Sequence, residues 1–284
     1  MRPEEAKALR LFEKEKIRSF KEIFDPTVVA VCVSDFHIGA YNALNLPEYE
    51  TLNGNRIIAP DLSREIYYKA YLPFLEICDT WEATHVLIAG DVINATAEKK
   101  IYPVGDLLFI DDEVRMAEML LEPLIKDRES YWISGSAFHD SLDTRVHIRL
   151  AKHFNGRATD TGYACFYLDQ LGVLLTHVGR RGALYPDGVI QRSTYFDAYG
   201  KLQSSEFSKI DLRISGHWHK WSENKGFLEL PGWRGFYSYR GRVVDPGIKL
   251  PDIGGVILLV RGKDYLTIPY IFDVETFWRE PMRV

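Results

Sequence analysis

The chain has 284 residues, 46% hydrophobic and 13% aromatic, enough for one large α/β core or two small ones, and a single domain is the reading taken here. Its 35 basic and 40 acidic side chains leave a net charge of −5, so overall charge draws it neither to nucleic acid nor to an anionic membrane, although a local basic patch stays open. Cys32, Cys78 and Cys165 lie in apolar or helical segments and read as buried free thiols; with no signal peptide and no apolar run of about 20 residues, a soluble cytoplasmic protein is expected, in a host's cytoplasm if viral.

Residues 4–24 carry Leu9, Phe12, Ile17, Phe20, Ile23 and Phe24 among charges, a helical spacing closed by Pro26. This segment, within residues 1–26, is expected to pack on the domain formed by residues 27–284; a partner-docking helix is the alternative. Val28 to Val33 is a β-branched run with little polar alternation, as in a strand buried on both faces. Tyr41 to Asp61, with Pro47, Gly54 and Pro60, shows no sustained period and reads as a long loop. Ser63 to Thr80 reads as a helix capped by Asp61 or Ser63 and disturbed at Pro73.

His85 to Ala89 is a short buried strand, Asp112 to Asp127 a helix with acidic residues in its first turn, and Tyr131 to Ile133 another strand. Asp143 to Phe154 reads as a helix ending at Asn155-Gly156. Tyr163 to Leu168 and Val173 to Thr176 form a hairpin; Gly182 to Ser208 is more loop than element; Val256 to Val260 and Tyr265 to Ile271 form a last hairpin. Strands alternating with helices early and hairpins late predict a mixed α/β domain.

Four apolar runs end in residues that bind metals: Asp35 and His37, Asp91, His177, and the pair His217 and His219. Any one of these alone is more often a turn or capping residue. Together they offer two carboxylates, four imidazoles and no thiolate, a donor set suited to Mn, Fe, Zn or Ni. Six ligands are too many for one catalytic ion that keeps room for water, and they divide well between two ions sharing a carboxylate. Two such cations about 3.5–4 Å apart support phosphoester hydrolysis.

The segments Asp35-Phe36-His37, Gly90-Asp91-Val92-Ile93-Asn94, His177 and Gly216-His217-Trp218-His219 resemble, in order, the motifs of the calcineurin-like metallophosphoesterase superfamily. The resemblance spans roughly residues 28 to 250. Asn53-Gly54-Asn55 and the form Gly135-Ser136-Ala137-Phe138-His139 are similar to phage and prophage members. It implies a sandwich of two mixed β-sheets flanked by helices, and two divalent ions, Mn first, with Zn, Fe or Ni as alternatives. Asp35, His37, Asp91 and His219 would hold one ion, and Asp91, His177 and His217 the other.

The chain departs from the superfamily at its third motif, usually Gly-Asn-His followed by Asp or Glu. Here Gly135 is followed by Ser136-Ala137-Phe138-His139-Asp140, so the Asn ligand is missing and either Ser136 or water takes its place. His139, oriented by Asp140, is the candidate general acid, against a capping role near the next helix. Asn94 either orients water or phosphate or closes a turn. Arg180 and Arg181 either contact a substrate phosphate or form a solvated pair. Tyr185, Tyr195, Phe196 and Tyr199, with these arginines and Arg192, offer stacking and phosphate contacts, which places a phosphodiesterase or nuclease ahead of a small-molecule phosphomonoesterase. A metal-binding scaffold without hydrolysis is the reading from another class.

Overall fold

The computed structural model describes residues 15–95, 109–136, 139, 145–177, 209–235 and 251–272. Two mixed sheets pack face to face. The first has six strands: β1 (Val28–Val33), β4 (His85–Ile88), β5 (Glu129–Trp132) and β6 (Arg157–Ala158) run parallel, and β12 (Ile253–Arg261) and β13 (Asp264–Phe272) join as an antiparallel hairpin beside β1, giving the order β13-β12-β1-β4-β5-β6. The second has the order β10-β11-β9-β8-β7, from β7 (Tyr163–Leu168), β8 (Leu171–Thr176), β9 (Leu212–Ser215), β10 (Ser222–Asn224) and β11 (Phe227–Glu229). Its inner pairs β8·β9 and β9·β11 are parallel and its edges antiparallel.

Period-two alternation along β1 explains why this strand lies at the centre. Ala30 and Cys32 point into the layer between the sheets, with Leu87, Val256 and Leu258 on one side and Val173, Leu175, Leu212, Ile214 and Leu228 on the other. Val29, Val31 and Val33 point the opposite way, into a second core under the helices. That helical layer holds α1 (residues 15–24), α2 (Asp61–Glu65), α3 (Leu72–Thr80), α4 (Ile110–Ile125) and α5 (Val146–His153). The mixed α/β sandwich with flanking helices expected from the sequence is the architecture observed. None of the described helices is long and apolar enough to cross a membrane.

Several local readings change. Between α2 and α3 the chain winds as a π-helix over Ile66–Tyr71, so the disturbance expected at Pro73 falls one turn earlier. Proline lacks an N–H and crowds the carbonyl four residues back, here Lys69, and a widened turn accommodates both defects. The helix begins after Pro60 with no side-chain cap, not at a capping Asp61 or Ser63; Ser63 is buried and its hydroxyl donates instead to the Ala43 carbonyl at 2.6 Å. The stretch read as loop over Tyr41 to Asp61 contains a small hairpin, β2 (Glu48–Glu50) with β3 (Arg56–Ile58), too short for periodicity to mark. In the first turn of α4 Asp111 is exposed but Asp112 and Glu113 face inward: Asp112 accepts from the Leu52 amide at 2.8 Å, and Glu113 from the Ala95 amide at 2.7 Å. Cys32 and Cys78 are buried, but Cys165 is exposed, because it alternates onto the outer face of β7. In α1, Ile17 reaches the helical core and Phe20 meets Trp81 edge-on at 6.4 Å.

Candidate metal centre

The carboxyl ends of β1, β4, β8 and β9 converge on one edge of the sandwich, where open α/β sheets place their sites. Pairing between β1 and β4 continues past both strands: Asp35 N donates to Gly90 O at 3.1 Å, His37 N to Asp91 O at 3.0 Å and Ile38 N to Val92 O at 3.0 Å. The two ligand loops therefore run side by side. Asp35 (φ 55°), His37 (47°), Asp91 (48°), His217 (99°) and His219 (53°) all have left-handed backbone. L-residues enter that region at a cost, least for Asp and His among the larger side chains, and such conformations persist where the surroundings over-determine them.

Phe36 supplies part of that determination. It separates Asp35 from His37, is wholly buried, and stacks on Trp233 at 5.9 Å, while Tyr71 and Phe74 close on the same indole at 5.4 and 5.3 Å. Trp233 N donates to Asp35 O at 3.0 Å, which ties this aromatic core to the ligand backbone.

The side chains form two triads. In the first, Asp35 Oδ1 lies 3.3 Å from His219 Nε2 and 3.7 Å from His37 Nε2, and the two imidazole nitrogens are 3.2 Å apart. In the second, His177 Nε2 lies 3.0 Å from Asp91 Oδ2 and 3.4 Å from His217 Nδ1. Donors about 2.1 Å from one ion stand about 3–3.4 Å from each other, a range that holds all of these separations but the 3.7 Å between Asp35 and His37. Two further observations agree. Asp35 Oδ1 is buried without a hydrogen-bond donor, while its partner Oδ2 is held by Ser34 Oγ at 2.5 Å and His217 N at 2.7 Å. His177 Nδ1 lies 2.5 Å from the Ala89 carbonyl, a contact that takes up the ring N–H and leaves Nε2 as the ligand nitrogen.

Burial alone would raise the pKa of both carboxylates, but His219 and His177 beside Asp35, and His177 beside Asp91, outweigh it and hold both below the usual range. Burial works against a proton on His177, yet Asp91 and Asp35 push its pKa up to about 10. The carboxylates thus hold a positive charge on this ring, and a cation would replace that proton. His37 and His217 are lowered, chiefly by burial.

A third group, His37, Asp91 and His139, also places its ligand atoms within 4.8 Å of one another, so Asp91 of the second triad is within reach of His37 of the first. His139 Nδ1 is 2.6 Å from the backbone carbonyl of Asn94, and the ring lies 4.5 Å from that of His37, edge-on. Asn94 is buried and reaches His139 through its main chain. Ser136 meets Asp91 and not the imidazoles: its N–H donates to Oδ1 at 2.7 Å, and its hydroxyl lies 3.1 and 3.2 Å from the two oxygens. Asp140, Arg180, Arg181, Arg192 and the aromatics from Tyr185 to Tyr199 lie outside the described residues. His147, matched to no motif, bonds the Thr159 carbonyl at 2.9 Å, a structural use.

One residue near the site went unread. Arg234, just past Trp233, bonds Asn42 Oδ1 through Nε at 3.2 Å. Its only sequence signal was a lone cation in the segment Pro231-Gly232-Trp233-Arg234-Gly235, which has no period.

No family model and no curated protein matches the sequence. Among solved structures, the chain is similar to wild-type Vps29 of Entamoeba histolytica in complex with Zn2+, at 14% identity and TM-score 0.41, covering 87% of this chain and 100% of that one. It is similar to a conserved uncharacterised protein of Streptococcus pneumoniae, a predicted phosphoesterase, at 12% and 0.33, covering 86% and 97%. A 5'-nucleotidase precursor of Thermus thermophilus gives 12% and 0.34, covering 86% of this chain and 54% of that one. Likenesses of this extent concern the path of the chain and bear on no residue's chemistry.

Proposed function

We propose that this chain is a metal-dependent phosphoester hydrolase of the calcineurin-like metallophosphoesterase kind, similar to phage and prophage members, with two divalent ions. We place diesters, nucleic acid among them, ahead of small monoesters as substrates. The observation that carries the reading is the pair of triads, with Asp91 of the second also within reach of His37 of the first. Asp35, His37, Asp91 and His219 would hold one ion, and Asp91, His177 and His217 the other. Bound there, two cations would lower the pKa of a water between them and offset charge growing on the phosphoryl oxygens.

The chain's own residues do the rest. The Ser136 amide and hydroxyl fix the Asp91 carboxylate in orientation, while Ser136 or a water would take the place of the missing Asn ligand. The Asn94 carbonyl holds the Nδ1 side of His139, and Nε2 is then the atom that gives a proton to the departing oxygen. The preference for diesters rests on the Arg and Tyr content of residues 180–199 in the sequence. Buried Cys32 and Cys78 thiols suit a reducing compartment such as the cytoplasm.

The test is to strip the protein of metal and restore Mn, Zn, Ni, Fe or Mg singly, with a phosphomonoester and a phosphodiester assayed side by side. Mn is expected to restore most activity, with the diester the better substrate. Good monoester turnover without diester cleavage would reverse the substrate order. No activity with any metal, and at most one ion bound, would leave the scaffold reading.

His139→Ala gives a second expectation. A lost proton donor costs about 10²–10⁴-fold with a poorly leaving alkoxide, and far less with p-nitrophenolate, which departs without a proton. Equal losses with both leaving groups would remove His139 from the acid role.

A further inference from the structure

Behind the first triad, the segment that follows β11 passes close to the ligands. A Cβ on Gly232 would stand 2.9 Å from His219 Nδ1 and 3.2 Å from Asp35 Cβ, so only a glycine lets the chain run there. Trp233 then donates to the Asp35 carbonyl and accepts from Leu44 N at 3.0 Å. Arg234 comes next, and its position is fixed from both directions. Its backbone bridges antiparallel to Ala43, Gly235 N donates to Asn42 O at 2.8 Å, and Asn42 Nδ2 donates to Gly235 O at 3.1 Å. The same Asn42 accepts from Arg234 Nε, so the guanidinium is oriented by a side chain itself clasped to the backbone.

We propose that Arg234, oriented by Asn42, is the anchor for a non-bridging oxygen of the substrate's phosphate at this centre. The inference rests on the hydrolase reading and adds to it a specificity residue that the motifs do not contain. A cation beside a site that gathers two more cations is unfavourable on its own, and an anion lying between them reverses the sign. The nearness comes from the chain path: Gly232, two residues earlier, packs on His219 and Asp35, and Ala43, which pairs with Arg234, lies in the turn that leaves His37 through Ala40 N to His37 O at 3.0 Å and Ala43 N to Ala40 O at 3.3 Å. A planar guanidinium matches phosphate oxygens with paired N–H donors, which a flexible ammonium does not. Fixing Nε on Asn42 limits the conformational freedom lost when phosphate arrives.

The experiment uses the full, metal-loaded chain as wild type, Arg234→Gln and Arg234→Lys. Three readings are taken: kcat/KM on a phosphodiester, calorimetric titration with inorganic phosphate, and bound metal per chain. Glutamine still reaches Asn42 but carries no charge. Arg234→Gln is expected to weaken phosphate binding and lower kcat/KM by about 10–100-fold, with both ions still bound. Arg234→Lys should lie between. Phosphate affinity within twofold of wild type in Arg234→Gln overturns the anchor, and so does a loss of metal that accounts for the weaker binding. Wild-type protein that turns over no phosphoester overturns the hydrolase reading instead; the anchor then stands or falls on whether wild type binds phosphate and Arg234→Gln does not.

Discussion

Asp91→Asn is expected to lower phosphoester hydrolysis on the order of 10³-fold while leaving the fold in place. The reason is in the donors around the carboxylate. Oδ1 takes the Ser136 amide, and Oδ2 faces His177 Nε2 at 3.0 Å. An amide of the same shape has one oxygen for these two positions, so its NH2 group must face either the Ser136 N–H or His177 Nε2, the nitrogen an ion would take. It also removes the negative charge that both ions would share. Two measurements separate this from unfolding. An ion present at about a hundred times its Kd adds ~2.7 kcal/mol to the folded state, so the Tm of wild-type protein should climb with added metal and that of the variant should climb less. Metal analysis should show fewer ions per chain. A variant that binds two ions and hydrolyses at the wild-type rate would remove Asp91 from the shared position.

What the sequence made legible follows from period and position. Apolar runs marked β1, β4, β8 and β9, and residues that follow buried strands at one sheet edge must converge, so Asp35, His37, Asp91, His177, His217 and His219 could be grouped before any coordinates. Strand order was not legible. That β12 and β13 return from the end of the chain to flank β1 depends on long-range packing, and nothing local encodes it. Three-residue strands such as β2, β3, β10 and β11 are shorter than the window in which alternation can be counted. The left-handed backbone at Asp35 and His217 leaves no composition signal when Asp and His serve where Gly would be the usual choice. Residue type makes His139 a candidate in the sequence, but its hydrogen-bond partner, the Asn94 carbonyl, is a backbone atom that any residue would supply. Arg234 escaped because its meaning comes from Asn42, almost two hundred positions earlier, and only the folded chain brings them together.

Gly135→Ala is expected to disable the centre with a single methyl group. A Cβ at Gly135 would stand 2.0 Å from Asp91 Oδ1 and 2.3 Å from Asp91 N, and one at Gly90 (φ 82°) would stand 2.7 Å from both Gly135 Cα and His177 Nδ1. The ends of β4 and β5 thus approach with no side chain between them, and Asp91 occupies the space this leaves. A methyl group can be accepted only if the carboxylate swings away or the loops part. Either movement takes the shared ligand from at least one triad. Overpacking of this kind costs about 1–3 kcal/mol, a drop in Tm on the order of 2–10 °C, so stability loss alone could mimic a damaged site. Gly156→Ala separates the two effects. Its Cβ would stand 2.3 Å from Ser130 Oγ and 2.7 Å from Trp132 Nε1, against neither triad. It should lose comparable stability yet keep metal and activity, whereas Gly135→Ala should lose metal and activity even at temperatures where both variants are folded. If Gly135→Ala stays loaded with two ions and active, Asp91 does not need the position it holds beside Gly135, and the shared-ligand geometry fails with it.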